Sequence, residues 1–203
     1  MEKKLFLGSK SRSRQELLKQ AQISYEIVGQ DADETVCDRN KPFKEIVASI
    51  ARYKMEHVVL PAGDKIKKCF VVTADTMTCN TDGSINGKPV DREDAIQKIK
   101  SAKDGAVTGT AFCLDKKIWH DNAWHIEQRI ERYAQGSCLF DVSDQWLDIY
   151  LAQPFIFSSA GALFVEGFGA QFVKEIHGSY TAIIGLPMFE LRQALTEIGF
   201  FEI

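Results

Sequence analysis

The sequence predicts a mixed α/β fold, and three observations predict it. Apolar strand-like runs alternate with helical stripes through the first half. Two long β-runs then follow one another in the middle, and an amphipathic stripe closes the chain. The alternation calls for strands covered by helices, whereas the consecutive runs call for a meander, so the sheet is mixed and not all-parallel.

Taken in order, Lys4–Leu7 reads as a short buried strand that stops at Gly8. A helix is expected at Arg12–Ala21, with Leu17, Leu18 and Ala21 on one face and Ser13 and Glu16 at capping-box spacing. Ser24–Val28 is the second strand. The second helix, Pro42–Leu60, carries the stripe Phe43, Ile46, Val47, Ile50, Ala51 and Val58, with Pro42 in its first turn. Lys68–Thr73 is a buried strand. Gly83–Pro89 is expected to be a hairpin turn that presents Lys88 rigidly; it is not a phosphate-binding Walker loop, because Pro89 stands where the Ser or Thr must be. A helix at Arg92–Ser101 precedes strands at Ala106–Leu114 and Ile118–Ile130, with Asp115–Lys116–Lys117 as the turn between them. A helix at Asp144–Ala152 and a strand at Ala162–Ile176 follow. The last helix, Pro187–Ile198, spaces Met188, Leu191, Leu195 and Ile198 three or four apart and ends at Gly199. No repeat or linker interrupts the chain, so residues 1–203 are expected to form one domain, with two lobes around a central cleft.

Composition narrows the function classes. With 25 Lys and Arg against 28 Asp and Glu, the net charge of −3 argues against nucleic acid or an acidic membrane surface as partner. No apolar run approaches the roughly 20 residues that span a bilayer. Met1–Glu2–Lys3–Lys4 is followed by three apolar residues before Gly8, too few for a secretory leader, so a cytoplasmic protein is expected. Cys37, Cys69, Cys79, Cys113 and Cys138 are odd in number and contain no C-x-x-C, a pattern of reduced thiols.

The chemistry concentrates at a few places. Ser9–Lys10–Ser11–Arg12–Ser13–Arg14 puts three hydroxyls and three cations at a helix start, where unpaired N–H groups already favour anions. That density suggests several phosphates, although a plain cap accounts for one serine and for Glu16. Asp75 follows a buried strand, at the position where ligands meet an open α/β sheet, and Asp31–Ala32–Asp33–Glu34 adds carboxylates after the second strand. Lys54 lies at the edge of a helical apolar stripe, where a lysine commonly snorkels. No H-E-x-x-H or G-x-S-x-G occurs, and His57, His120, His125 and His177 lack metal-ligand spacing.

Together these segments resemble the Maf family of nucleoside-triphosphate pyrophosphatases. The matching pieces are Leu7–Gly8–Ser9–Lys10–Ser11 with Arg14 and Glu16–Leu17–Leu18, then Asp33–Glu34, Lys54, Ala74–Asp75–Thr76 and Gly87–Lys88–Pro89. Ala160–Gly161 with Glu166–Gly167–Phe168–Gly169, and Gly178–Ser179 with Gly185–Leu186–Pro187, complete the order. The resemblance implies a fold like that of the inosine-triphosphate pyrophosphatases. It also implies hydrolysis between the α- and β-phosphates to a monophosphate and pyrophosphate with Mg²⁺ or Mn²⁺, and a homodimer. Carried onto this chain, it gives catalytic roles to Asp75, Glu34, Lys54 and Lys88, with Asp75 as base and Glu34 as metal ligand or the two exchanged. Ser9, Ser11, Arg12, Arg14, Thr76 and Glu166 are the expected substrate contacts, and Glu34 and Asp75 the metal ligands.

The chain departs from the family pattern in two places. Arg12–Ser13–Arg14 replaces Pro-Arg-Arg or Pro-Trp-Arg, and Ser158–Ser159 and Glu166 stand where many members carry Asp-Lys and Gln. Glu166–Gly167–Phe168–Gly169 resembles the branch acting on 7-methyl-GTP, and a carboxylate suits the N1–H and exocyclic amine of a guanine. The leading expectation is therefore a pyrophosphatase leaning to a 7-methyl-GTP-type substrate. The alternatives are a dTTP/UTP pyrophosphatase, or a catalytically weak nucleotide-binding regulator of septum formation. An unrelated α/β phosphatase, releasing inorganic phosphate, is the third class.

Overall fold

In a computed structural model, residues 3–63 and 66–201 are described. Met1 and Glu2, where the leader reading begins, lie outside them. In chain order the strands and α-helices are β1 (Leu5–Leu7), α1 (Arg12–Gln20), β2 (Glu26–Ile27), β3 (Gly29–Gln30), α2 (Phe43–Glu56), β4 (Val58–Val59) and β5 (Lys68–Asn80). They continue with β6 (Ile85–Asn86), α3 (Arg92–Ser101), β7 (Ala106–His120), β8 (Ala123–Phe140) and α4 (Asp144–Leu151). β9 (Val173–Gly178), α5 (Tyr180–Ile184) and α6 (Met188–Glu197) end the chain. Short 3-10 turns cover Glu34–Val36, Ala160–Ala162 and Gly167–Phe172, among others.

The chain divides into two compact units. The first comprises Met1–Asp75, Ala111–Tyr133 and Gly185–Ile203; the second comprises Thr76–Thr110 and Ala134–Ile184. In the first unit the strand order is β2-β1-β5-β7-β8, and β1 runs parallel to both neighbours, Leu5 opposite Phe70 and Phe6 opposite Glu26. Strands β1 and β5 carry continuous apolar runs because they are buried on both faces: Leu5–Leu7 and Cys69–Val72 are all within 1% of full burial. Helix α2 lays Ile46, Val47, Ile50, Ala51 and Met55 onto this layer. In the second unit β5, β7, β8 and β9 are neighbours and β6 pairs antiparallel with β5. Its core gathers Ala95, Ile99, Phe140, Tyr150, Ile156 and Phe172. Tyr150 is fully buried, yet its hydroxyl donates to Ala162 O at 2.8 Å and accepts from Phe164 N at 3.0 Å, so no polar group is stranded there.

The mixed α/β expectation holds, and the helices start and stop within a few residues of the sequence pattern. Several local expectations do not. The cap of α1 is Ser11, whose hydroxyl accepts from Arg14 N, and not Ser13, which lies inside the helix. Asp115–Lys116–Lys117 is no turn: β7 runs through it to His120, and the chain reverses at Asp121 and Asn122, with φ of 50° and 57°. A two-residue turn of type I′ needs both central residues at positive φ, which Asp and Asn tolerate better than most side chains. The strand read at Ala162–Ile176 is mostly 3-10 turns, with β9 confined to Val173–Gly178. Gly169 explains the tight chain there, because a Cβ at that position would lie 1.5 Å from Phe164 O. β5 continues to Asn80, so Asp75 sits inside a strand and not at its end.

Candidate active site

The site grows from two elements of the first unit. Asp75 is carried by β5 and Lys54 by α2; both are buried, at 6% and 8% exposure. Lys54 Nζ donates to Asp75 Oδ1 at 2.7 Å and pairs with Glu34 Oε1 at 2.9 Å. The edge-of-stripe lysine is therefore drawn inward, and does not snorkel to solvent. Glu34 opens a 3-10 turn capped by Asp33, whose carboxylate accepts from Thr35 N at 3.0 Å and from Thr35 Oγ1 at 2.6 Å. Those bonds hold the Asp33 carboxyl below its ordinary range and fix the turn that presents Glu34. Among the described residues, Asp75 Oδ2 is buried and has no hydrogen-bond partner. A buried carboxylate oxygen in that condition is costly unless something arrives to pair with it.

The loop before α1 supplies the second half of the constellation. Ser9 Oγ accepts from Ser11 N at 3.2 Å and from Arg14 Nη1 at 3.1 Å. Arg14 Nε donates to Gly185 O at 2.8 Å, so the guanidinium is held from two sides while only 8% exposed. Burial lowers the Arg14 pKa, and the charges of Asp75 and Glu34 oppose that shift. Gly8 begins this loop at van der Waals limits: a Cβ there would lie 2.8 Å from Thr73 Cγ2 and 3.0 Å from Val58 Cγ2.

The structure thus brings Ser9, Ser11, Arg14, Glu34, Lys54 and Asp75 into one unit, with Arg12 exposed at the first residue of α1. Lys88, Thr76 and Glu166 belong to the second unit. Lys88 is exposed beside Gly87, whose carbonyl accepts from Gly161 N at 2.9 Å. Thr76 Oγ1 pairs with Thr110 Oγ1 at 2.9 Å, and Thr110 donates to Ala182 O at 2.7 Å. Glu166 is half-buried, and its charge adds to burial in pushing the Tyr180 phenol up. Sequence reasoning missed the Gly185 carbonyl, Thr110 and Tyr180. Gly185–Leu186–Pro187 was visible as a motif, but a carbonyl acceptor leaves no side-chain signature.

The family model of the Maf-like protein matches residues 4–198. The chain belongs to the Maf-like protein family. Its relatives include the dTTP/UTP pyrophosphatase of Caldicellulosiruptor saccharolyticus, 32% identical over 200 residues, covering 98% of this chain and 96% of the relative. That of Geotalea uraniireducens is 33% identical over 201 residues, with the same two coverages. The dTTP/UTP pyrophosphatase of Shewanella oneidensis is 31% identical over 200 residues, 96% of this chain and 98% of its own. None of these names supports the lean to 7-methyl-GTP; they favour the dTTP/UTP alternative. Among the described residues, no helix is long and apolar enough to cross a membrane.

Proposed function

We propose that this Maf-like chain is a nucleoside-triphosphate pyrophosphatase of the dTTP/UTP type, cleaving the α–β phosphoanhydride to a nucleoside monophosphate and pyrophosphate. The observation that carries this reading is the Lys54 ammonium between Asp75 and Glu34, with the second Asp75 oxygen buried and unpaired. A carboxylate whose one oxygen is fixed by an ammonium and whose other is unpaired is oriented to take a proton from an attacking water. Lys54 holds it in that orientation. Ser9 Oγ accepts two hydrogen bonds within the protein and keeps its own proton to donate to a phosphate oxygen. Arg14, fixed on Gly185 and Ser9, offers charge where the phosphate oxygens gain it in the transition state. Lys88, Thr76 and Glu166, which belong to the second unit, are assigned to the nucleotide on the family resemblance.

A divalent metal fits this donor set. Asp75 Oδ2 and the Glu34 carboxylate are hard oxygen donors, one of them buried and lacking a partner. No group of three or more His, Cys, Asp or Glu side chains comes together among the described residues, so the remaining ligands would be phosphate and water oxygens, as is usual for Mg²⁺. Glu34 and Asp75 would hold the Mg²⁺ or Mn²⁺, which would supply charge neutralisation for the phosphates and a lowered pKa for a bound water.

Pyrophosphate release measured with Mg²⁺ or Mn²⁺ across dTTP, UTP, CTP, GTP and 7-methyl-GTP tests the reading. Selective turnover of dTTP and UTP is the expected result. Preference for 7-methyl-GTP would return the assignment to Glu166, and release of inorganic phosphate alone would overturn the reaction class.

A further inference from the structure

Thr73 is a hydroxyl in an otherwise apolar run: Phe70, Val71, Val72 and Ala74 surround it on β5, and it is completely buried. Its Oγ1 donates to Ala51 O, inside α2, at 2.7 Å. A carbonyl at that point of a helix already has the amide four residues on as partner, so α2 does not need this second donor to satisfy its backbone. Valine would suit a buried strand at least as well. The hydroxyl therefore does something besides fill the core.

Its place in the two elements shows what. Ala51 precedes Lys54 by three residues on α2, and Thr73 precedes Asp75 by two on β5, so each pair shares a face. Helix and strand are joined at two successive rungs, Thr73 Oγ1 to Ala51 O and Lys54 Nζ to Asp75 Oδ1, both 2.7 Å. The upper rung holds main chain; the lower depends on a flexible four-carbon stem whose tip lands reproducibly only if its root is fixed. On its other side the Thr73 methyl is the surface against which Gly8 packs, at the entry to the Ser9–Arg14 loop.

We propose that Thr73 is a positioning residue for this site: its hydroxyl locks α2 against β5 so that Lys54 meets Asp75. The inference rests on the reading of Asp75 and Lys54 as the reacting centre. Position is worth much in catalysis, since displacements near 1 Å reach about a hundredfold in rate.

The test compares Thr73→Val, which keeps shape and loses the hydroxyl, with Thr73→Ser, which keeps the hydroxyl, using steady-state UTP hydrolysis and thermal unfolding. Thr73→Val is expected to lower kcat about tenfold with KM within about twofold, because an aligning contact and not a binding contact is lost. Its Tm is expected to stay within a few degrees, since a buried hydroxyl gives way to an apolar group and no carbonyl is orphaned. Thr73→Ser is expected to restore kcat. A wild-type kcat in Thr73→Val overturns the proposal, as does an equal loss in both variants or a kcat loss matched by a fall in Tm. Wild-type protein that releases pyrophosphate from none of dTTP, UTP, CTP, GTP and 7-methyl-GTP overturns the site reading, and this inference with it; a different preferred nucleotide only replaces UTP in the assay.

Discussion

Two buried aspartates in the first unit make opposite use of the same chemistry. Asp115, on β7, is fully buried and has both oxygens engaged: Arg129 Nε donates to Oδ1 at 2.7 Å and Arg129 Nη2 to Oδ2 at 2.8 Å, with Lys117 Nζ 3.4 Å away. The bidentate bond raises the Arg129 pKa, so that cation stays charged. Asp75, on the neighbouring strand β5, has one oxygen on Lys54 and the other bare. A saturated buried ion pair ties β7 to β8 and offers nothing to a ligand. A half-satisfied one stores an unmet demand, and the carbon skeleton of the side chain is the same in both.

The comparison is broken most directly by making one substitution at both positions. Asp75→Asn is expected to reduce pyrophosphate release about a thousandfold, the scale of a lost general base. Its urea unfolding midpoint is expected to hold, because Lys54 retains Glu34 as partner. Near-normal turnover would remove Asp75 from catalysis. Asp115→Asn is expected to do the reverse, costing about 2–3 kcal/mol of stability in urea titrations by leaving Arg129 half-paired, while kcat of the folded fraction stays at the wild-type value. A stability loss confined to Asp75→Asn would refute the contrast. The smallest effect belongs to Arg52, which grips Glu131 through two 2.6 Å bonds but with its side chain 52% exposed. Arg52→Gln is expected to change stability by only about 0.5 kcal/mol, diminishing further in added salt. A larger cost would mean that solvent screens this pair less than its exposure implies.

The two aspartates also show where sequence reading succeeds and fails. Asp75 was legible because its neighbours Ala74 and Thr76, with Lys54, Glu34 and the Ser9–Arg14 segment, form an ordered set of local motifs. Asp115 was misread as part of a turn, because Asp-Lys-Lys has the composition of one. Nothing local announces that Arg129, fourteen residues on, returns opposite it and pays the desolvation of both charges. The true reversal at Asp121 and Asn122 was missed for the same reason: both sites are polar, and cross-strand pairing decides which is buried.

By itself the sequence determined the class of structure and the chemical inventory. Hydrophobic period separates helices from strands locally, and the motif residues stand in the chain whatever the fold does with them. Only the tertiary structure decided which of those residues meet. It turned Lys54 inward, left one oxygen of Asp75 bare, fixed Arg14 through a glycine carbonyl, and set Thr73 between helix, strand and loop. These outcomes depend on partners 21 to 171 residues apart, and on how burial prices an unpaired charge, neither of which any local pattern contains.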